Sequence, residues 1–124
     1  MVNMMNDRIL IVEDNEVNLD IFGEIFEDDF EVSMVKDGQQ ALDVIYDYMP
    51  KLILLDVMMP NMDGYEVCKH IRMDEKLKDI KVIMVSARAM ESERKRGMEV
   101  GADEYITKPF DEDALLETVR AYMN

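Results

Sequence analysis

The chain has 124 residues, 48% of them hydrophobic, and its 28 acids against 14 bases give a formal net charge of −14. This size and apolar content exclude a disordered chain and predict a single domain over residues 1–124. The negative charge argues against binding to nucleic acid and to anionic membranes. No apolar run reaches membrane-spanning length, no signal peptide is visible, and Cys68 is the only cysteine. We therefore expect a cytoplasmic protein without an internal disulfide.

Strand and helix patterns alternate five times along the chain. Short apolar runs predict strands, and apolar residues at helical spacing predict helices. The predicted strands cover residues 9–12, 31–35, 51–56, 82–85 and 104–106, and the predicted helices cover residues 17–26, 39–48, 65–72, 90–100 and 111–123. Parallel strands need crossover connections, so this alternation predicts a parallel sheet with helices on both faces.

Local signals refine these assignments. Asn15 is predicted to be the N-cap of the first helix, and Gly101 to end the fourth helix. The weak alternation of residues 31–35 favours a strand near the sheet edge. The predicted apolar face of the first helix consists of Val17, Ile21, Phe22, Ile25 and Phe26.

Four of the predicted strands end in polar or charged side chains. Asp56 directly follows the apolar run 52–55, which has the pattern of a strand buried on both faces. The other strand-end residues are Glu13 and Asp14 after the first strand, Ser86 after the fourth and Lys108 after the fifth. Because the C-terminal ends of parallel strands share one edge, where ligands bind in such folds, we expect these side chains to converge.

Three carboxylates, a hydroxyl and a lysine indicate phosphoryl chemistry with a divalent cation. Carboxylates so close together repel one another, and Lys108 cannot balance three of them. Mg²⁺ prefers oxygen ligands and often bridges to phosphate. The lysine and the cation would neutralise phosphoryl oxygens, the Ser86 hydroxyl would donate a hydrogen bond, and Asp56 would be the nucleophile that forms an acyl phosphate.

Four segments at these strand ends carry a family resemblance. They are Val-Glu-Asp-Asn at 12–15, Leu-Asp-Val-Met-Met-Pro at 55–60 with Asp-Gly at 63–64, Val-Ser-Ala at 85–87 and Thr-Lys-Pro at 107–109. With them, the chain resembles the receiver domain of two-component response regulators over essentially its whole length. The resemblance implies an α/β, flavodoxin-like (βα)5 doubly wound sandwich, with a five-stranded parallel sheet in the order 2-1-3-4-5.

The resemblance also implies a role for each site residue. Asp56 would accept a phosphoryl group from a sensor histidine kinase or a histidine phosphotransfer protein, and Ser86 and Lys108 would hold the phosphoryl oxygens. The implied ligands of Mg²⁺, or of Mn²⁺ in its place, are Glu13 (mostly through water), Asp14, Asp56 and the backbone carbonyl of Met58. The Lys108–Pro109 peptide bond would be cis.

A conformational switch is implied as well. Phosphorylation would draw Ser86 toward the phosphoryl group and admit Tyr105 into the vacated space, which would alter a surface at residues 90–100, 103–106 and 111–122 for a downstream target protein. The side chains of Met58 and Arg88 would flank the approach of water and tune the acyl-phosphate lifetime. Such a protein would be a signalling protein that catalyses only its own phosphorylation and dephosphorylation, not an enzyme acting on other substrates.

Several alternatives stay open. A phosphatase of the haloacid-dehalogenase kind would need a second acid two residues after Asp56, where the chain has Met58. A flavin-binding electron carrier would need a loop of Ser, Thr and Gly at positions 13–15. A receiver-like domain that is never phosphorylated would not need the complete acid, hydroxyl and lysine set.

The chain ends just after its last predicted helix, so we expect a stand-alone receiver, with a fragment of a longer regulator as the alternative. Residues 13–18 and 87–90 most resemble receivers of phosphorelays and cell-cycle control.

Overall fold

A computed structural model describes residues 7–124. The elements of this part of the chain are β1 (Arg8–Val12), α1 (Glu16–Phe26), β2 (Glu31–Val35), α2 (Gly38–Tyr48), β3 (Leu52–Asp56), α3 (Gly64–Met73), β4 (Lys81–Ser86), α4 (Glu91–Glu99), β5 (Glu104–Thr107) and α5 (Glu112–Met123). All strand pairs are parallel, in the order β2-β1-β3-β4-β5. The predicted fold and the edge position of β2 are confirmed. No helix among these residues is long and apolar enough to cross a membrane.

The sheet lies between two apolar clusters, which explains the apolar runs 9–12 in β1 and 52–55 in β3. Successive residues of a strand point to opposite faces. Leu10 and Ile53 therefore pack in the cluster that contains residues of α2 and α3, whereas Ile9 and Leu52 pack in the cluster that contains residues of α1 and α5. With both faces covered, the inner strands are fixed in register, and their C-terminal ends are held rigidly at one edge of the sheet.

The prediction for α1 is wrong at Val17, whose side chain is 66% exposed. The buried face instead contains Leu19, Phe22 and Phe26. These three residues recur at spacings of three and four, and Val17, two residues before Leu19, lies on the opposite side of the helix. The predicted N-cap is confirmed, since the Asn15 side chain accepts a hydrogen bond from the backbone N–H of Asn18 at 3.0 Å.

The helix α4 differs from the other helices in how it is attached. Gly97 is the only residue of α4 that is buried. An added Cβ at Gly97 would lie 2.8 Å from the Tyr105 ring, so the absence of a side chain lets the helix approach β5 closely. Polar and charged side chains of α4, which contact Tyr65 and Tyr105, supply much of its remaining attachment. An element with few buried apolar contacts is expected to open locally more readily than the core.

Candidate functional site

The ends of β1, β3 and β5 bring three acids and a lysine together. Carboxylate oxygens of Glu13, Asp14 and Asp56 all lie within 4.8 Å of one another. Lys108 Nζ donates a hydrogen bond to Glu13 Oε1 at 2.8 Å and lies 3.8 Å from Asp56 Oδ2. The Lys108–Pro109 peptide bond is cis, as the resemblance implied. Glu13 and Asp56 are buried and Asp14 is exposed, so the cluster is open to solvent on one side.

Glu13 is held by three donors. Its Oε2 accepts a hydrogen bond from the backbone N–H of Asn15 at 3.1 Å, and its Oε1 accepts from Asn18 Nδ2 at 3.4 Å as well as from Lys108. A buried carboxylate needs such partners, because removing its charge from water is otherwise costly. Asn18 was not among the predicted site residues. Its position in the first turn of α1, three residues after the N-cap, is the feature of the sequence that could have placed it near Glu13.

Asp56 occupies the last position of β3 and is 7% exposed. Its Oδ1 accepts a hydrogen bond from the backbone N–H of Met58 at 3.2 Å. Burial, followed by the negative charge of Glu13, raises the pKa of Asp56 from 3.8 to about 7, and the Lys108 ammonium opposes this rise. The surroundings of Asp56 therefore carry too little positive charge for its ionised form, and this favours binding of a cation.

The loop after Asp56 folds back tightly onto the strand end. The Gly64 N–H donates to the Val57 carbonyl at 2.9 Å, and an added Cβ at Gly64 would lie 2.5 Å from the Asp56 carbonyl oxygen. A larger residue would push α3 away from the site. Beside this loop is a cavity of about 380 Å³, lined by Val57, Met58, Met59, Asp63 and Arg88. The Met58 side chain is exposed, and the role of the Met58 backbone carbonyl as a metal ligand stays a prediction.

Ser86 and Tyr105 both contact the segment that follows β4. The buried Ser86 Oγ accepts a hydrogen bond from the Arg88 N–H at 3.0 Å, and the Tyr105 hydroxyl donates to the Arg88 carbonyl at 2.9 Å. Tyr105 is 2% exposed, so its ring already lies inside the fold. The Arg94 guanidinium lies 5.6 Å from the centre of that ring. The predicted entry of Tyr105 would require a second state in which this ring points outward.

Tyr65 is a further residue near the site that was not among the predicted site residues. It is buried in the first turn of α3, and its hydroxyl donates to Glu93 Oε2 at 2.6 Å. The available signal is a tyrosine on an apolar helix face, because a buried phenol needs a hydrogen-bond partner. Two other side chains on α3 lie outside the site: His70 is exposed to solvent, and Cys68 is a buried thiol whose pKa burial raises to about 11.

The acidic cluster fits a hard divalent cation such as Mg²⁺. All three side chains offer carboxylate oxygens, which are the ligands that Mg²⁺ prefers. The raised pKa of Asp56 shows that Lys108 alone does not compensate the charge there. The chemistry of the donors and their spacing therefore agree with the ion that the strand-end acids predicted.

Comparison with known proteins decides the family. Residues 9–120 match the response regulator receiver domain. The chain belongs to this family. This receiver domain is 37% identical over 120 residues to the polar-differentiation response regulator DivK of Brucella ovis, with 96% of this chain and 98% of DivK covered. DivK of Brucella anthropi is 36% identical over the same shares of the two chains.

Solved structures agree. A putative response regulator from Chloroflexus aurantiacus superposes with a TM-score of 0.90 at 29% identity, covering 95% of this receiver domain and 98% of that chain. The receiver domain of sensor histidine kinase PA1611 from Pseudomonas aeruginosa superposes with a TM-score of 0.86 at 28% identity, again covering 95% of this receiver domain and 98% of that chain. That structure was solved with magnesium coordinated in its active site cleft.

Family membership defines the general activity. The protein is a receiver domain of a two-component system, and response regulators are mainly signalling proteins. Receiver domains bind Mg²⁺ in an acidic site and interact with histidine kinases and downstream targets. The match favours this function over the flavin-binding carrier and the haloacid-dehalogenase phosphatase that the strand pattern had left open.

Proposed function

We propose that Asp56 is the phosphoacceptor of this receiver domain and that it takes its phosphoryl group from a phosphohistidine donor. The observation that carries the proposal is the position of Asp56: it is almost fully buried at the end of β3, within 4.8 Å of two other carboxylates and 3.8 Å from Lys108. Burial and like charge raise its pKa to about 7. Strongly perturbed groups of this kind cluster at functional sites.

In the proposed transfer, an oxygen of the ionised Asp56 carboxylate attacks phosphorus. The bond between phosphorus and the donor imidazole nitrogen breaks, and its electron pair stays on the imidazole. Lys108, which contacts Glu13 at 2.8 Å, would exchange this contact for a phosphoryl oxygen. The Ser86 hydroxyl would donate to a second phosphoryl oxygen instead of accepting only from the Arg88 N–H. Both contacts stabilise charge on the transferred group.

A divalent cation completes this set of charges. Asp14, Asp56 and the backbone carbonyl of Met58 would hold Mg²⁺, or Mn²⁺, with Glu13 acting mostly through water. When bound, the ion would supply positive charge that neutralises the phosphoryl oxygens. Membership of the receiver family supports a signalling protein that would catalyse only its own phosphorylation and dephosphorylation, and not an enzyme acting on other substrates.

The signal would reach partners through α4, β5 and α5. Tyr105 contacts both the segment after Ser86 and the glycine of α4, so a change at Ser86 can alter this surface. The donor would be a sensor histidine kinase or a histidine phosphotransfer protein, and the recipient a downstream target protein, both in the cytoplasm. DivK is a polar-differentiation response regulator of which this chain covers 98%, and this similarity supports a receiver of stand-alone size, with residues 1–124 as one domain.

Incubation with a small phosphodonor and Mg²⁺, followed by intact mass measurement, tests this proposal. The wild-type protein is expected to gain one phosphoryl group, and Asp56→Asn none. Asp47→Asn, an exposed acid on α2, is the matched control and is expected to be labelled like the wild type. Labelling that persists in Asp56→Asn would remove this residue from its assigned role.

A further inference from the structure

Arg88 lies at the mouth of the site, but packing does not fix its side chain. It lines the cavity of about 380 Å³ together with Val57 and Met58, the two residues that follow Asp56. Its side chain is 43% exposed, so the guanidinium has room to move. The one ion pair it makes among residues 7–124 is with Glu93, where Arg88 Nη1 lies 3.3 Å from Oε1. The position of this cation therefore depends on Glu93.

Glu93 is itself held by a buried tyrosine. Its Oε2 accepts a hydrogen bond from the Tyr65 hydroxyl at 2.6 Å, and the same hydroxyl lies 3.1 Å from the Glu93 carbonyl. Tyr65 is 2% exposed, and the Arg96 guanidinium lies 4.2 Å from the centre of its ring. The Tyr65 hydroxyl lowers the pKa of Glu93, so this carboxylate stays charged. The carboxylate is thus a fixed anion, with one oxygen on Tyr65 and the other on Arg88.

We propose that Glu93, fixed by Tyr65, holds the Arg88 guanidinium to one side of the cavity and thereby shortens the lifetime of the phosphoryl group on Asp56. The inference rests on the proposed phosphorylation of Asp56. A guanidinium binds carboxylates and phosphoryl oxygens through the same fork of N–H donors, so the two anions compete for it. Glu93 and Tyr65 are positioning residues in this arrangement, because they act through Arg88.

The step affected is hydrolysis of the acyl phosphate. A water oxygen attacks phosphorus, the bond from phosphorus to the Asp56 oxygen breaks, and the carboxylate leaves with the electron pair. Both protons of the water go to the phosphate, which is released as dihydrogen phosphate and exchanges protons with the solvent. In the proposed arrangement, water reaches phosphorus through the cavity that Met58 and Arg88 line. Once released from Glu93, Arg88 would pair with phosphoryl oxygens inside this cavity and exclude water from it, so hydrolysis would slow.

A double-mutant cycle on the rate of phosphoryl loss tests the inference. Wild-type protein, Glu93→Gln, Arg88→Ala and the double variant are phosphorylated with a small phosphodonor and Mg²⁺, freed of donor and followed by intact mass. Loss from Glu93→Gln is expected to be about two- to fivefold slower than from the wild type, the range of an exposed ion pair. The double variant is expected to decay like Arg88→Ala, because without Arg88 the change at Glu93 has no route to the phosphoryl group.

Two further variants separate this role from a structural one. Glu91→Gln removes the same charge from the first turn of α4, and within residues 7–124 the Arg88 side chain pairs with Glu93 and not with Glu91, so this variant is expected to decay like the wild type. Tyr65→Phe keeps the ring but releases one oxygen of Glu93, so it is expected to slow the decay by a smaller factor. All variants are expected to take up one phosphoryl group, and this uptake serves as the readout of a folded site.

The outcomes that overturn the inference are distinct from failure of the proposed function. If Glu93→Gln loses phosphate at the wild-type rate or faster, or if slow loss persists in the double variant, Glu93 does not act through Arg88. Slow loss in Glu91→Gln would assign the effect to the general charge of α4 and would equally contradict it. If wild-type protein takes no phosphoryl group at Asp56, the proposed function fails, and this inference fails with it.

Discussion

Replacing Asp56 by Asn is expected to stabilise the fold, because the structure places its carboxylate where a negative charge is unfavourable. Burial and the neighbouring Glu13 raise the pKa of Asp56 from 3.8 to about 7. Between these two pH values the folded protein binds more protons at Asp56 than the unfolded chain does. The free energy of unfolding therefore falls as the pH rises through this range, and the loss is complete above about pH 7.

The size of the effect follows from the same pKa change. A rise from 3.8 to about 7 corresponds to about 4 kcal/mol between the two protonation states. Asn has the same shape without the charge, and its side-chain oxygen can still accept from the Met58 N–H. Asn loses the 3.8 Å contact with Lys108, which offsets part of the gain. We expect Asp56→Asn to raise the free energy of unfolding by about 2–4 kcal/mol near pH 8 without Mg²⁺, and by much less near pH 4.

Urea denaturation at both pH values measures this difference. Asp47→Asn, on the exposed side of α2, is the control, and we expect it to change stability by less than about 0.5 kcal/mol at either pH. The reasoning is refuted if Asp56→Asn is no more stable than the wild type near pH 8. It is refuted equally if the gain is larger at the lower pH, because that would reverse the sign derived from burial.

Two more predictions concern the metal site and the N-terminal ends of β4 and β5. Mg²⁺ at a hundredfold excess over its Kd is expected to raise the free energy of unfolding of the wild type by about 2–3 kcal/mol. The measurement is the thermal midpoint with Mg²⁺ compared with the midpoint in the presence of a chelator. An equal shift of the midpoint in Asp14→Asn would contradict the assignment of Asp14 as a ligand. Arg72→Met is expected to cost about 2–4 kcal/mol in urea unfolding, because Arg72 donates to Asp103 and to three backbone carbonyls. Lys76→Met, an exposed change nearby, serves as its control, and equal losses in both would contradict the reasoning.

The strand ends could be predicted from the sequence because one physical rule governs them. A continuous apolar run such as residues 52–55 must be buried on both faces, and parallel connections place all C-terminal ends at one edge. This rule brings Asp56 and Lys108 to the same site although they are far apart in the sequence. The order of the strands came from the family resemblance and not from the periodicity, which does not specify which strands are neighbours.

The contacts inside the site could not be predicted in the same way. Lys108 contacts Glu13 more closely than Asp56, and this depends on how far each loop extends beyond the sheet and on side-chain rotamers. Tyr65 is predicted from the sequence only as an apolar helix residue, and its hydrogen bond to Glu93 depends on how α3 and α4 are placed in the folded protein. The exposed position of Val17 depends on the phase of α1, which a run of mixed apolar residues does not fix.

The weak burial of α4 has a consequence for how the sequences of receiver domains can diverge. Gly97 is the only residue of this helix buried in the interior, so most substitutions elsewhere on α4 remove no core packing. Such positions can change during evolution with little thermodynamic penalty. After gene duplication, two copies can therefore diverge at exposed positions of α4 that do not contact Arg88. In the proposed output surface, such changes alter binding specificity and leave the phosphorylation chemistry unchanged.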